Sequence, residues 1–269
     1  MSVNFRRTLA IAILALTAAA AAFAQAPAQA SPFKFIDGEI FEYEGKLSKI
    51  IQGISVADLR FEVRRVPDTD NFVIKTEAVS KGTLLRLFRF SFLQQYESIV
   101  DARLMRILKT TKHDVQKDRV RDGVAEFNYE EGRVRYIETD PKDPNRPPRR
   151  IASSVDVEAA HDVVSGVYAL RALPLVVGSQ FEMTISDSGL IYEVPVRVTG
   201  REMQKTVLGK VMCLRIEPLL FGKGRLIEQK GRMIIWITDD ERRIPIRGRI
   251  DSVYGKIEVR LKSLTSPKP

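Results

Sequence analysis

The chain has 269 residues, 44% of them apolar, with 43 Lys and Arg against 34 Asp and Glu for a formal charge of +9. A single cysteine excludes an internal disulfide framework and any cysteine-rich metal cluster. Charged residues at 29%, with only 16 Gly and 13 Pro, exclude collagen-like and low-complexity chains and leave a folded, basic protein with room for a real core.

Residues 1–8, MSVNFRRT, carry Arg6 and Arg7 and no acid, and the next sixteen are apolar apart from Thr17. Small residues then fall in A-x-A spacing at Ala22–Ala24, Ala24–Ala26 and Ala28–Ala30. A charged start, an apolar middle and an A-x-A end are the parts of a secretory signal peptide, here residues 1–24, with cleavage as late as Ala30. Sixteen residues at a helical rise span roughly 24 Å, short of a hydrocarbon core of about 30 Å. The expected product is a soluble periplasmic chain of about 245 residues with a charge near +7. In that oxidising compartment Cys213, inside the alternating run VMCLRIEP, reads as a buried free thiol.

After the leader the chain reads as strands. FKFIDGEIFEYEGKL alternates Ile40 and Phe41 with Glu39 and Glu42 around Asp37-Gly38. In VADLRFEVR, Ala57, Leu59, Phe61 and Val63 share one face and Asp58, Arg60, Glu62 and Arg64 the other, the period of a strand with a dry and a wet side. Pro67-Asp68 begins a turn, and Phe72, Ile74, Thr76 and Ala78 resume the pattern. TLLRLFRFSFLQQYESIV fits two readings: Leu84, Phe88 and Phe92 have helical spacing, whereas Leu85 and Leu87 follow strand parity. LMRILKTTKHDVQKDRV is expected as a strand pair or one long bent strand, and the next stretch carries turn signals at Asp122-Gly123 and Glu131-Gly132. The four prolines of DPKDPNRPPRR, residues 140–150, exclude a central strand and predict a surface loop within a single β-rich domain over residues 31–265.

The clearest helix lies in VEAAHDVVSGVYALRALPLVVG. Asp162 is placed to cap its first turn; Val163, Val167 and Leu170 form one stripe; Pro174 ends it; and Gly178 opens the following turn. Gly166 costs about 1 kcal/mol in helix propensity, and its expected use is the close approach of another backbone. Beyond it Phe181, Met183 and Ile185 alternate, as do Tyr192, Val194, Val196 and Val198, with further strands to residue 261. Short connections favour hairpins. The predicted fold is mainly β: a large curved antiparallel sheet or partly open β-barrel with one or two short helices, whose dry face must be covered or used.

Three stretches share a wider pattern. FIDGEIFEYEG matches F-x-x-G-E-x-x-x-Y; HDVVSGVYALR, with Asp162, Ser165, Tyr168 and Arg171, matches D-x-x-S-x-x-Y-x-x-R; and WITDDERRIP, with Trp236, Asp239, Asp240, Arg243 and Pro245, matches W-x-x-D-D-x-x-R-x-P. Together they resemble the family called domain of unknown function 3108, from about residue 33 to 263. The resemblance implies an exported bacterial protein and no catalytic residue. Physical roles for the same positions are structural. Trp236 reads as a sheet-packing aromatic and Arg171 as a stem laid along the sheet with its head paired to an acid. Asp239-Asp240-Glu241 reads as a hairpin turn held by Asx bonding rather than a calcium loop, with Arg243 pairing to Asp240 and Pro245 favouring an edge or bulged strand.

No catalytic pattern emerges. His113 and His161 lack the i, i+4 partner of H-E-x-x-H, SGVY is not a G-x-S-x-G elbow, and no G-x-G-x-x-G opens a dinucleotide unit. A Ser165–His161 pair across one helical turn has no third member. No cofactor or metal is implied, and nucleic acid is not an expected partner. Arg146, Arg149 and Arg150 suit peripheral contact with an anionic membrane surface. The reading that fits best is a non-enzymatic periplasmic envelope protein that binds an apolar or amphiphilic, lipid-like ligand in a concave site. A structural or protein-interaction module with an envelope protein partner is the alternative, and a hydrolase a distant third.

Overall fold

The computed structural model describes residues 35–48, 53–83, 86, 89–252 and 255–267. The leader, and the residues Leu84, Leu85, Leu87 and Phe88 of the mixed segment, lie outside the described residues. Fifteen strands form one sheet: β1 (Ile40–Ser48), β2 (Ile54–Arg65), β3 (Asn71–Ser80), β4 (Phe92–Asp101), β5 (Arg106–Gln116), β6 (Arg119–Asn128), β7 (Arg133–Thr139), β8 (Arg149–Ser154), β9 (Ala160–Asp162), β10 (Gln180–Asp187), β11 (Leu190–Thr206), β12 (Gly209–Pro218), β13 (Gly231–Thr238), β14 (Pro245–Ser252) and β15 (Gly255–Thr265). The one named helix, α1, covers Ser165–Ala172 between β9 and β10.

Strand order across the sheet is β8-β7-β6-β5-β4-β3-β2-β1-β15-β14-β13-β12-β11-β10-β9. The chain therefore meanders outward from β1 to one edge at β8. It then crosses at once to the opposite edge at β9 and meanders back until β15 pairs with β1. Every pairing is antiparallel except the short β9–β10 contact. Two edges separated by five residues of chain must approach each other, so the sheet curls into an open barrel.

The curl is visible at the β10–β11 turn. Ser188 and Gly189 both have positive φ, 50° and 79°, the backbone of a two-residue hairpin whose twist matches its strands. A Cβ added at Gly189 would stand 2.3 Å from Cβ of Tyr136 on β7 and 3.3 Å from Cβ of Ile151 on β8. Tyr136 also explains Asp122-Gly123, which lies inside β6 rather than at a turn. A Cβ at Gly123 would meet the Tyr136 ring, so a residue without a side chain lets that ring lie flat on the sheet.

Residues paired across strands share a face. On the inner face one row runs Val63, Ile74, Ser98, Thr110, Ala125, Tyr136 and Ile151 from β2 to β8. Another runs Ile216, Ile235, Gly248, Val259 and Gly45 from β12 round to β1. Helix α1 packs on this second region, Leu170 and Ala169 joining Met183, Ile185, Val194 and Val196 in one core cluster. The outer face carries the wet residues, as in the row Arg60, Glu77, Gln95, His113 and Asp122. The 140–148 segment is an exposed loop, but Arg149 and Arg150 belong to the edge strand β8, where charge protects an unpaired edge.

Gly189→Ala should destabilise the fold by roughly 2–4 kcal/mol, combining left-handed backbone strain with the clash against Tyr136. Gly209→Ala is the control. Its φ is 89° but nothing lies within 4 Å of the new methyl group, so only the strain of about 1–2 kcal/mol should appear in urea melts. Equal losses at the two positions would contradict the close approach of β10–β11 to β7.

Candidate functional site

Helix α1 is pinned to the sheet by buried polar contacts at both ends. At its C-terminal end the Arg171 guanidinium donates to both carboxylate oxygens of Glu39, at 2.6 and 3.0 Å, and to the backbone carbonyl of Arg242 at 3.1 Å. Arg171 and Glu39 are 1% and 3% exposed, which makes this a fully desolvated pair. The guanidinium also lies 5.2 Å from the Phe41 ring and 5.4 Å from the Tyr168 ring. Glu39, the acid of the opening motif just before β1, points inward despite its charge. It has the parity of Phe41 and Tyr43, and that parity was the available signal.

At the N-terminal end Asp162 closes β9 and reaches across the barrel. One carboxylate oxygen accepts hydrogen bonds from Ser98 Oγ on β4 and, at 2.6 Å, from Thr110 Oγ1 on β5. The other accepts the backbone N–H of Val164 at 3.1 Å and of Ser165 at 2.6 Å. The helix N-cap is Val164, so Asp162 is not the cap residue that the spacing predicts; it serves the first turn from two positions earlier. Ser165 Oγ accepts the N–H of Asp162 at 2.9 Å.

His161 and Ser165 do not share a helical turn, because His161 sits on β9 and Ser165 opens α1. Burial holds the His161 imidazole neutral and pushes its pKa down to about 4, against a smaller raising effect from Asp162. Gly166 admits a side chain rather than a backbone: a Cβ there would stand 3.0 Å from Ile185 Cδ1.

Between the two pins the helix leaves apolar space over the sheet. A cavity of about 250 Å³ lies over β1, β2 and β13–β15, lined by Phe41, Tyr43, Phe61, Tyr168, Gly248 and Val259 among others. A second of about 140 Å³ is lined by Gly166, Leu170, Met183, Ile185, Val196 and Leu220 among others. Val167, Met233 and Ile235 line both, so the two form one apolar groove under the Val163–Val167–Leu170 stripe. Tyr43 donates its hydroxyl to the Pro245 carbonyl at 2.8 Å. The hydroxyl of Tyr168 is buried and has no hydrogen-bond partner among the described residues. Burial raises the pKa of both phenols, so they are neutral donors. Apart from Tyr43 of the opening motif, the floor residues carry no signal in the sequence, where each is one more residue in an alternating strand.

Of the late motif only Pro245 lines this groove. Ile235 and Ile237 face the inner core, while Trp236 faces the other way beneath Arg247, whose guanidinium is 4.5 Å from the ring. The indole N–H donates to Glu202. Asp240 builds the β13–β14 turn: it accepts Thr238 Oγ1 at 2.6 Å, the backbone N–H of Arg243 at 3.2 Å and the Arg242 side chain at 2.8 Å. The Arg243 guanidinium pairs not with Asp240 but with Asp239, at 3.5 Å, and Asp239 also holds Arg201. Pro245 opens β14 at a register shift, the bulged position that its missing N–H requires. Cys213 is a buried free thiol whose pKa burial pushes up to about 11. Among the described residues no three His, Cys, Asp or Glu side chains are grouped to hold a metal ion.

Arg171→Met should cost about 3–5 kcal/mol by leaving the Glu39 carboxylate buried and unpaired, and Glu39→Leu should cost a similar amount. The double variant should lose far less than their sum in denaturant titrations; additive losses would mean the pair is not coupled. Protonating His161 disfavours the folded state. Its pKa is lower folded than unfolded, so stability falls as pH drops from about 6.5 to about 4, by up to roughly 3 kcal/mol. His161→Gln should flatten that part of the profile relative to wild type in melts at pH 7 and pH 4.5.

No curated protein matches the sequence. Among solved structures, a beta-barrel-like protein of domain of unknown function DUF1849 from Brucella abortus superposes with a TM-score of 0.61 at 12% identity, covering 87% of this chain and 99% of that one. That likeness is one of fold. A putative exported protein with a YmcC-like fold from Bacteroides fragilis gives a TM-score of only 0.33 at 8% identity, over 88% of this chain and 100% of that one. The sequence over residues 42–262 matches the family model described as Protein of unknown function (DUF3108), and the chain belongs to that family.

Proposed function

We propose that the chain is an exported, non-enzymatic envelope protein that holds an amphiphilic, lipid-like molecule under α1. The observation that carries this reading is the apolar groove between α1 and the sheet, with a buried hydroxyl on its wall that has no hydrogen-bond partner among the described residues. Water in such a space finds few hydrogen-bond partners, so an acyl chain that displaces it gains both burial and contacts. The ligand class also follows from the residues of the lining that carry polar groups, Tyr43, Tyr168 and Arg247. Tyr168 adds a neutral donor to a mostly apolar chamber, which suits a carboxyl, ester or hydroxyl group on an apolar tail better than a bare hydrocarbon. The leader supports placement in the periplasm, where such molecules are exchanged between membranes.

Binding should be saturable for straight-chain fatty acids in displacement of a fluorescent fatty-acid probe. Each added methylene should tighten the dissociation constant about fourfold until the groove is full. Gly248→Leu fills the floor: the nearest atom to an added Cβ is 4.0 Å away. This variant should keep its melting temperature and lose at least tenfold in affinity. Tyr168→Phe should weaken fatty acids about three- to tenfold and leave diphenylhexatriene unchanged. Absence of saturable binding at every chain length would rule the reading out.

A further inference from the structure

We infer that the β11–β12 hairpin is a docking arm for an anionic lipid bilayer. Beyond a bulge between Val198 and Gly200, β11 and β12 continue together to Thr206 and Gly209, past the last β12–β13 pair at Cys213 and Thr238. The register places Arg201 opposite Leu214, Met203 opposite Met212 and Lys205 opposite Lys210. One face of the projecting part therefore presents Arg201, Met203, Lys205, Lys210 and Met212, continued by Val207 at the tip, with no acid on it.

Beyond Glu202, which is exposed on the opposite face, burial alternates along the arm. Gln204, Thr206, Leu208 and Val211 on the opposite face are half-buried, whereas Met203, Val207 and Met212 are 56%, 53% and 41% exposed. The arm is not a loose flap. The face opposite the methionines is tied down by Trp236 donating to Glu202 and by Arg247 donating to Gln204 at 3.2 Å, and the Asp239 N–H donates to the backbone carbonyl of Met212 at 2.9 Å. A second apolar point lies at its base. Gly178 and Ser179 bond to Val198, which brings the loop bearing Val176 and Val177, 63% and 46% exposed, to the same end of the sheet.

Two adjacent methionines and a valine flanked by cations form a surface that water solvates poorly and an anionic headgroup layer solvates well. Arg201 is already paired with Asp239, but Lys205 and Lys210 have no ion-pair partner among the described residues. Charge complementarity thus selects a negatively charged bilayer over a neutral one, each lysine adding about fivefold in affinity at such a surface. The assignment does not rest on the groove under α1 taking a ligand.

The test is flotation of the purified protein with vesicles of phosphatidylcholine alone or mixed with phosphatidylglycerol. Binding to the anionic vesicles should exceed binding to the neutral ones and fall with added salt. Lys205→Gln with Lys210→Gln should weaken it about 25-fold, and Met203→Ser with Met212→Ser about tenfold with an unchanged salt slope. Arg146→Gln with Arg149→Gln and Gly248→Leu should leave it unchanged, the latter separating membrane docking from ligand binding. Vesicle binding that ignores the arm substitutions, no vesicle binding at all, or a photocrosslinker at position 203 that labels one envelope protein and no lipid would each overturn the assignment.

Discussion

The buried pair between Glu39 and Arg171 constrains everything else in this fold. It joins the first residue before β1, the last turn of α1 and, through the Arg242 carbonyl, the β13–β14 turn. Taking two charges out of water is costly, and the cost is repaid only by near-ideal geometry and by satisfying the remaining donors. Here the fork is bidentate and lies against two aromatic faces, so the three segments have little freedom to drift. A hydrophobic pair of similar volume could fill the same space. It could not fix the direction from which the helix meets the sheet.

Asp162 plays the matching part at the other end of α1. An aspartate at the close of a three-residue strand would add little by itself. Its carboxylate gathers two hydroxyls from β4 and β5 and two amides from the helix start, so the crossing from edge β8 to edge β9 is fastened to the middle of the opposite wall. That fastening lets a sheet remain open without exposing its interior. The edges are not hydrogen-bonded to one another, but β9 is tucked against β5, and the β10–β11 turn rests on Tyr136 and Ile151.

Much of this was legible in the sequence because period-two alternation is a local property. The strands from Ala57 to Val63, from Phe72 to Ala78 and from Tyr192 to Val198 follow it residue by residue, and Pro174 stops the helix where expected. Features that depend on distant partners were not legible. Beyond its parity nothing local marks Glu39 as buried, since its partner stands 132 positions away. Asp122-Gly123 looked like a turn because the ring that needs the glycine belongs to the next strand. Arg243 was assigned to the nearer acid in sequence, whereas Asp240 is spent on its own turn and Asp239 is left to face the guanidinium. The groove left no signal of its own, since Phe41, Gly248 and Met233 become neighbours only when β15 closes onto β1.

These constraints together account for the groove. A helix held only by apolar contacts would settle until its stripe filled the space beneath it, because interiors pack to crystal-like density. α1 cannot settle in that way. Arg171 at one end and Asp162 at the other fix its distance from the sheet through bonds of defined length, and Gly248 lowers the floor between them. The helix therefore stands over the apolar strands with Val167 at mid-span, touching cavities on both sides. The same polar pins would remain made while an acyl chain entered or left, since neither pin contributes a group to the apolar floor. Rigid ends with an unfilled middle are a product of the fold's polar fastenings rather than of a helix free to pack.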